Sequence, residues 1–255
     1  MTAPILVTGA TGTLGRAVVP RLADPGRGVR ALSRRPRPDG SGDHEWITGD
    51  LRSGAGLEEA VSGVTAIVHC ATDARAPGRD VACTRNLLDA ARRAGSPHLV
   101  YISIVGVDRV PLRYYRVKLE VEALVERSGL PWTILRATQF HDLVGSVLRQ
   151  LARPPVMLVP AGTSVQPVGA GDVAARLAEL AQGAPAGRVP DLGGPEVLTC
   201  TDLARADLRA RGRRRLVVGV RLPGKAARGY RQGGHLARDH ADGRQTYGDF
   251  LARRP

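Results

Sequence analysis

Short apolar runs alternate with longer segments of helical period through the first half of the chain. Residues 5–7 form a strand-like run, and Leu14, Val18 and Leu22 then recur on one face of a predicted helix. Further strands are predicted at 28–33, 44–48, 64–71, 98–104 and 132–136, and helices at 57–61, 79–94 and 112–127. Since parallel strands need right-handed crossovers that cover both faces, the pattern predicts an α/β fold with a doubly wound, Rossmann-type parallel sheet.

The alternation loosens after residue 136. Helices are predicted at 140–151, 172–182, 199–210 (opened by a capping box) and 246–251, with short strands at 156–159, 189–192 and 216–220. Residues 24–26 predict a turn, and Pro20 predicts a kink in the first helix. We therefore expect a Rossmann domain at 1–153 and a smaller C-terminal lobe at 154–255, which packs on it and closes over its ligand as part of one structural unit.

Three glycines follow the first strand directly. Gly9, Gly12 and Gly15 are spaced three apart and lead into the first helix. In such a unit the first glycine allows a tight turn, the second lets a pyrophosphate approach the backbone, and the third lets helix and strand pack closely. The turn is therefore predicted to bind a dinucleotide at a helix N-terminus, and a glycine turn without a ligand is the alternative. The predicted contacts are Gly9, Thr11, Gly12, Thr13, Leu14 and Gly15.

The second strand ends where dinucleotide folds contact the adenine ribose. NAD-dependent proteins usually place a carboxylate there, whereas an arginine accommodates the 2′-phosphate of NADP. This chain has Ser33, Arg34 and Arg35 at that point and no carboxylate before Asp39. NADP(H) is therefore predicted over NAD, with two ordinary surface arginines as the alternative. The remaining expected cofactor contacts are Asp50 and Leu51 after the third strand, Ala71 after the fourth, and Lys118.

Tyr114 and Lys118 lie four residues apart on the helix predicted at 112–127, so they share a helix face. A neighbouring ammonium favours the phenolate of a tyrosine, whose ordinary pKa is about 10. Ser103, at the carboxyl end of a strand, is placed to hydrogen-bond a substrate oxygen. These three residues are predicted to relay a proton during hydride transfer at a C–O centre. Tyr115 is the reserve for Tyr114, and an exposed lysine beside two packing tyrosines is the alternative.

The formal net charge of +13 suggests nucleic acid as a partner. Of the 37 basic residues, however, only Lys118 and Lys225 are lysines, which is typical of an arginine-biased coding sequence. The arginines are spread widely, and the densest run, 213–215, has no interleaved aromatic residues to stack on bases. We therefore predict a solvated basic surface and no nucleic-acid partner. The bias also singles out Lys118, because arginine is bulkier and does not readily lose its proton.

Cys70, Cys83 and Cys200 are too few and too scattered for a disulfide framework or a metal site, so no metal is expected. No apolar run approaches the ~20 residues of a membrane span, and the first strand begins too early for a secretory signal. These features predict a reduced, cytoplasmic protein with no membrane partner.

The chain resembles the short-chain dehydrogenase/reductase superfamily, and more narrowly its atypical, NmrA-like NAD(P)-binding branch. The resemblance rests on the motifs above and continues through residues 130–136, 139–141, 171–174 and 193–196. It implies an NADPH-dependent oxidoreductase that reduces a carbonyl or quinone group of a small organic molecule by Tyr/Lys-assisted hydride transfer. It also implies that a homodimer is one possible assembly of the protein. We place the substrate pocket at Gln139, Phe140 and His141. The alternative is that these residues only lead into the following helix.

Two positions depart from the superfamily pattern. After the fourth strand the common Asn-Ala-Gly is replaced by residues 69–72, and only residues 104–113 separate Ser103 from Tyr114. The short loop weakens the case for Ser103 more than that for Tyr114 and Lys118. The alternative functions are a non-catalytic NADP(H)-sensing regulatory protein that binds a protein partner, and an epimerase or dehydratase of the same fold.

Overall fold

A computed structural model describes residues 2–23, 27–35, 44–73, 76 and 78–253. The turn predicted at residues 24–26 lies outside the described residues. The strands are β1 (Thr2–Thr8), β2 (Arg27–Ser33), β3 (Glu45–Thr48), β4 (Ala66–His69), β5 (His98–Ile104), β6 (Trp132–Ala137), β7 (Val156–Pro160), β8 (Ser164–Val165), β9 (Gly187–Arg188), β10 (Leu198–Thr199) and β11 (Leu216–Val220). The α-helices are α1 (Thr13–Leu22), α2 (Leu57–Val61), α3 (Gly78–Arg93), α4 (Arg113–Glu126), α5 (His141–Leu151), α6 (Ala170–Gln182), α7 (Cys200–Ala210), α8 (Lys225–Arg231) and α9 (Tyr247–Ala252).

Seven of these strands form one sheet in the order β3-β2-β1-β4-β5-β6-β9, which confirms the predicted doubly wound fold. The strand pairs described within it are parallel. Every residue of β4 is buried, and β5 is buried up to its last residue, as expected for strands covered on both faces. The strand order reverses between β1 and β4, and doubly wound sheets bind ligands at the carboxyl ends of the strands beside such a reversal.

The chain forms two compact units. The first comprises Met1–Ser103, Arg116–Leu135 and Val173–Val189. Its core is built from the inward positions of the sheet and of the helices that cover it. The side chains in this core that are 0% exposed include Leu6, Ile67, Leu87, Leu99, Val121 and Ile134. Short apolar strands and amphipathic helices, as read from the sequence, account for this core.

The second unit comprises Ile104–Tyr115, Arg136–Asp172 and Pro190–Pro255. Here β7 pairs with β11 in parallel, and β8 pairs with β10 antiparallel. Its core contains Met157, Val159, Leu203 and Tyr247. The expected division cut the chain once, near residue 153. Each unit instead draws on three segments, because Ile104–Tyr115 belongs to the second unit and most of α6 and all of β9 belong to the first.

Local signals explain several element boundaries. The Thr199 hydroxyl caps α7 by accepting a hydrogen bond from Asp202 N at 3.1 Å, as its spacing predicted. A full capping box, Thr246 with Asp249, opens α9 and was not anticipated. Pro20 lies in the last turn of α1, which ends at Leu22. The strand expected at 189–192 is instead the shorter β9, and Leu192 makes a single bridge to Ala137.

Candidate active site

The glycine-rich turn connects β1 to an open helix N-terminus. Gly9 has a φ of +67°, and its carbonyl accepts a hydrogen bond from Gly12 N at 2.9 Å. Gly12 is the N-cap of α1 and has no side chain with which to cap it, so the first-turn N–H groups are left for a ligand. Thr11, Gly12 and Thr13 are exposed, whereas the Leu14 side chain is buried in the core.

The three glycines have different steric surroundings. A Cβ on Gly9 would lie 2.8 Å from the backbone of Ala71, and a Cβ on Gly15 would lie 2.2 Å from the Gly9 carbonyl oxygen. A Cβ on Gly12 would meet only that oxygen, at 3.2 Å. Gly9 and Gly15 are therefore required by the fold itself. The contact at Gly12 is tight but less severe, so the lack of a side chain there also matters for a molecule outside the chain.

A hydrogen-bond chain joins the carboxyl ends of β1 and β4 to α3. The Thr8 hydroxyl accepts a hydrogen bond from Ala71 N at 3.3 Å and shares a second hydrogen bond with His69 Nδ1 at 2.7 Å. His69 Nε2 and the Thr84 hydroxyl share a further hydrogen bond at 3.1 Å. Burial, with a smaller contribution from Lys118, lowers the pKa of His69 to about 3, so the ring stays neutral. His69 therefore holds the turn in place and needs no contact with a ligand.

The residues expected to contact the adenine ribose follow β2. Ser33 is 9% exposed, and its hydroxyl accepts a hydrogen bond from Arg35 N at 3.1 Å. The side chains of Arg34 and Arg35 are exposed. Because β2 pairs with β1, these groups stand beside the glycine-rich turn at the carboxyl edge of the sheet. Their placement is that expected of a group that binds a 2′-phosphate.

Asp50 and Leu51 lie in the turn that follows β3. Asp50 Oδ1 accepts a hydrogen bond from Arg52 N at 2.9 Å, so the carboxylate also stabilises its own turn. Asn86 on α3 donates from Nδ2 to the Leu51 carbonyl at 2.9 Å and to the Arg52 carbonyl at 3.1 Å. This positioning residue was missed from the sequence, where a lone helical asparagine gives no signal.

Ser103 and Lys118 meet at the carboxyl end of β5. Lys118 is 3% exposed, and its Nζ donates to the carbonyl of Ile102 at 3.2 Å. Ser103 is 2% exposed, and its hydroxyl has no hydrogen-bond partner within the described residues. An unpaired buried hydroxyl costs about 1–3 kcal/mol, which a bound oxygen or nitrogen atom offsets. This orphaned hydroxyl and the open N-terminus of α1 fit a dinucleotide with a substrate beside it.

Lys118 lies over an aromatic ring that sequence reasoning did not single out. Its Nζ is 4.5 Å from the centroid of Tyr101, which also stacks on His69 with centroids 5.6 Å apart. Burial lowers the pKa of Lys118 to about 8, and the nearby Asp80 and Glu122 oppose that shift. Tyr101 lies two residues before Ser103 on β5. The alternating pattern of a strand does not indicate that this ring would contact a lysine on α4.

The two tyrosines at the start of α4 differ in their surroundings. The Tyr115 hydroxyl lies 3.1 Å from that of Tyr230, and both rings belong to an apolar cluster with Val107 and Val110. Burial, and then Tyr230, raise the pKa of Tyr115 well above its usual range. Tyr114 is half-buried at the same cluster and lies one helical turn before Lys118 on α4.

The residues expected to form a substrate pocket lie in the second unit. Phe140 is the N-cap of α5 and bridges to Val168. His141 is 1% exposed, donates from Nε2 to the Gln245 carbonyl at 3.0 Å and packs against Phe250, so the structure uses it in the core. The amide of Gln139 is buried beside the Tyr115 hydroxyl and slightly lowers the pKa of Tyr115. This amide makes no other side-chain hydrogen bond among the described residues. The substrate role stays a prediction for these residues.

The described part of the chain lacks two further kinds of feature. It contains no group of three or more His, Cys, Asp or Glu residues that could hold a metal ion. None of its helices is long and apolar enough to cross a membrane. The three cysteines are free thiols, and burial raises the pKa of Cys70 to about 12, so Cys70 stays protonated at neutral pH.

Comparison with known proteins agrees with this geometry. Residues 9–182 match a family described as NAD(P)H-binding. A (4-alkanoyl-5-oxo-2,5-dihydrofuran-3-yl)methyl phosphate reductase of Streptomyces griseus is 34% identical over 216 residues, which cover 82% of this chain and 74% of that protein. A photosystem II assembly factor of Cyanophora paradoxa is 34% identical over 154 residues, which cover 55% of this chain but only 47% of that protein. The crystal structure of an NADPH-dependent quinone oxidoreductase of Escherichia coli complexed with NADPH is similar, with a TM-score of 0.82, 21% identity and coverage of 97% and 98% of the two chains.

Proposed function

The chain belongs to the NAD(P)H-binding family, and from that premise we propose that it is an NADPH-dependent reductase of a carbonyl or quinone group in a small organic molecule. The Streptomyces relative supports an NAD(P)H-dependent oxidoreductase. One observation carries the proposal. The open glycine-rich turn, the unpaired hydroxyl of Ser103 and the buried ammonium of Lys118 stand at the carboxyl ends of β1 and β5, within the first unit.

The binding roles follow from charge and exposure. The N–H groups at the start of α1 bind the pyrophosphate, and Gly12 lets it approach the backbone. Arg34 and Arg35 are exposed beside Ser33 and bind the 2′-phosphate through charge-assisted hydrogen bonds. Asp50 is assigned to the adenine amino group. NADPH, when bound, supplies the hydride.

Residues of the chain itself hold the substrate oxygen and donate the proton. The Ser103 hydroxyl holds the substrate oxygen, and Tyr114 donates the proton that this oxygen gains. The Lys118 ammonium, held by Ile102 and Tyr101, hydrogen-bonds the ribose and favours the phenolate that Tyr114 becomes. Because Tyr115 is committed to Tyr230, Tyr114 is assigned this role ahead of its neighbour.

Calorimetric titration with NADPH, NADH, NADP⁺ and NAD⁺ tests the binding half of the proposal, and fluorescence follows the two reduced cofactors as well. We expect tight NADPH binding that Arg34→Ala weakens at least ~10-fold, or about 1.4 kcal/mol, with little effect on NADH. Arg127→Ala removes an exposed arginine after α4 and serves as the matched control. Failure of all four cofactors to bind would overturn the proposal.

NADPH oxidation in the presence of small quinones and ketones tests the catalytic half. We expect oxidation that needs the acceptor and that Tyr114→Phe lowers at least ~10²-fold while NADPH binding is kept. Tight NADPH binding with no acceptor reduced would favour the second candidate, a cofactor-dependent binding protein, to which the assembly-factor relative lends support. A partner released by NADP⁺ but not by NADPH would then identify it.

A further inference from the structure

One face of the sheet formed by β7 and β11 is apolar and open to solvent. In this parallel pair, Leu216 lies beside Val156, and Val218 lies beside Leu158. The alternate residues Met157 and Val159 are buried in the core of the second unit, so the others point away from it. The outward side chains are Val156 (39% exposed), Leu158 (52%), Leu216 (65%), Val218 (37%) and Val220 (36%). These five residues are called the β7–β11 face below.

A contiguous aliphatic face of this kind is unusual on a protein surface. Single exposed apolar side chains are common, but a group of them marks a binding surface. The face contains no carboxylate, no amide and no aromatic ring. The residues assigned to the cofactor belong to the first unit, so the reductase activity does not account for the face.

Exposed arginines stand at both ends of the two strands. Arg153 precedes β7 by two prolines, and residues 213–215 lead directly into β11. Arg221 follows β11 at the opposite end and is also exposed. Within the described part of the chain, none of these arginines forms an ion pair with a carboxylate.

The surrounding sequence is free of acidic residues. Residues 208–238 carry nine arginines and one lysine but no Asp or Glu, and residues 143–171 also lack Asp and Glu. The basic charge is therefore concentrated in the segments around the β7–β11 face. The predicted solvated basic surface with widely spread arginines does not account for this concentration. The family match ends at residue 182, so β11 and its arginines lie beyond the shared region.

We propose that the β7–β11 face docks on an anionic lipid surface. The aliphatic side chains enter the boundary between headgroups and acyl chains, and the flanking arginines bind the lipid phosphates. Such docking needs no membrane span, so it is compatible with the helices described above. It revises the expectation that a membrane is not a partner, because that expectation considered only long apolar runs.

The composition of the face favours lipid over protein occupants. Energetically dominant residues of protein interfaces are enriched in Trp and Tyr and poor in Leu and Val. The β7–β11 face consists of Leu and Val alone. A second copy of this chain would bring arginines against arginines, because both ends of the face are basic, and juxtaposed like charges oppose association.

Vesicle flotation with the full chain tests this proposal. We expect the protein to float with phosphatidylcholine vesicles that contain phosphatidylglycerol, to remain unbound with phosphatidylcholine alone, and to dissociate at high salt. The double variant Leu158→Ser/Leu216→Ser and the triple variant Arg213→Gln/Arg214→Gln/Arg215→Gln should each lower binding at least ~10-fold. The matched controls Leu119→Ser and Arg127→Gln change an exposed leucine and an exposed arginine of the first unit and should bind as the wild type does.

Circular dichroism and urea unfolding of each variant verify that the second unit is folded. If the leucine variant does not fold, the arginine variant alone decides the question. Wild-type protein that does not float with anionic vesicles would overturn the proposal, as would equal binding by wild type and both variants. Light scattering measures the oligomeric state. A dimer that dissociates in the leucine variant would also overturn the proposal, because it would show that a second copy covers the face.

Discussion

The hydroxyl of Tyr115 lies 3.1 Å from the hydroxyl of Tyr230, 115 residues later in the chain. Their ring centroids are 6.4 Å apart, and Tyr230 in turn packs 4.3 Å from the ring of His235. Burial, aided by Tyr230, raises the pKa of Tyr115, so Tyr115 stays a neutral phenol at neutral pH. Tyr115 therefore belongs to the packing of the second unit, and this separates the roles of two adjacent tyrosines.

Substitution of the two tyrosines should give opposite patterns. Tyr114→Phe is expected to lower kcat at least ~10²-fold, in the range for lost acid–base catalysis, with an unchanged unfolding midpoint. Tyr115→Phe is expected to cost about 1 kcal/mol of stability from one lost hydrogen bond and to change kcat less than ~10-fold. Steady-state kinetics and urea unfolding of both variants check this. A larger kcat loss in the Tyr115 variant would reverse the assignment.

The three glycines of the turn should fail in different ways. Gly12→Ala is expected to fold normally, because its new Cβ approaches only the Gly9 carbonyl oxygen, at 3.2 Å. Its Kd for NADPH should rise at least ~10-fold, since the methyl group occupies the pyrophosphate's path. Gly15→Ala places a Cβ 2.2 Å from the same oxygen and should lower the Tm sharply. Thermal unfolding and NADPH titration separate the two effects, and a stable Gly15→Ala variant would contradict them.

Thr8 should be needed for its hydroxyl rather than for its shape. Thr8→Val leaves the Ala71 N–H and His69 Nδ1 without their partner, at about 1–3 kcal/mol for each unpaired buried group. Because Gly9 follows directly and packs on Ala71, NADPH affinity should also fall, by about tenfold. Thr8→Ser keeps the hydroxyl and is the control. Equal stability and affinity of the two variants would show that the hydrogen-bond chain does not position the turn.

Lys118 should be costly to stability and necessary for turnover. Burial lowers its pKa from 10.5 to about 8, which corresponds to an unfavourable contribution on the order of 3 kcal/mol at pH 7. Lys118→Met is therefore expected to unfold at the same or a higher urea concentration at pH 7 while turnover falls at least ~10²-fold. Lys118→Arg should not restore turnover, because Lys118 is only 3% exposed and a guanidinium is bulkier than an ammonium and does not readily lose its proton.

The pH dependence of this difference checks its cause. Between pH 8 and 10.5 the unfolded chain still binds a proton that folded Lys118 has released. The wild type therefore gains unfolding free energy with rising pH in that window, and the advantage of Lys118→Met shrinks. Urea unfolding of both proteins at pH 7 and above pH 9 measures this. An advantage that does not change with pH would show that charge burial is not its source.

The sequence alone determined the fold class, and it predicted the glycine-rich turn as the place where the cofactor binds. Apolar runs and helical periods are local patterns, and they predicted α2, β5 and β11 at their observed bounds. The glycine spacing predicted the turn, and Gly15 answers a steric requirement within that short segment, because its Cβ would lie 2.2 Å from the Gly9 carbonyl oxygen. Ser103 was likewise predicted from its place at a strand end, and Lys118 from its four-residue spacing to Tyr114 on a helix.

Only the tertiary structure decided which side chains meet. Tyr230 and Tyr115, Lys118 and Tyr101, and His69 and Thr84 are partners brought together by the packing of separate elements, and no local period encodes such pairs. The interleaving of the two units and the alignment of β7 with β11 arise in the same way. Side-chain pairing across long stretches of chain depends on how all the elements pack together, and for that reason the sequence indicated where a ligand binds but not which residues hold that site in place.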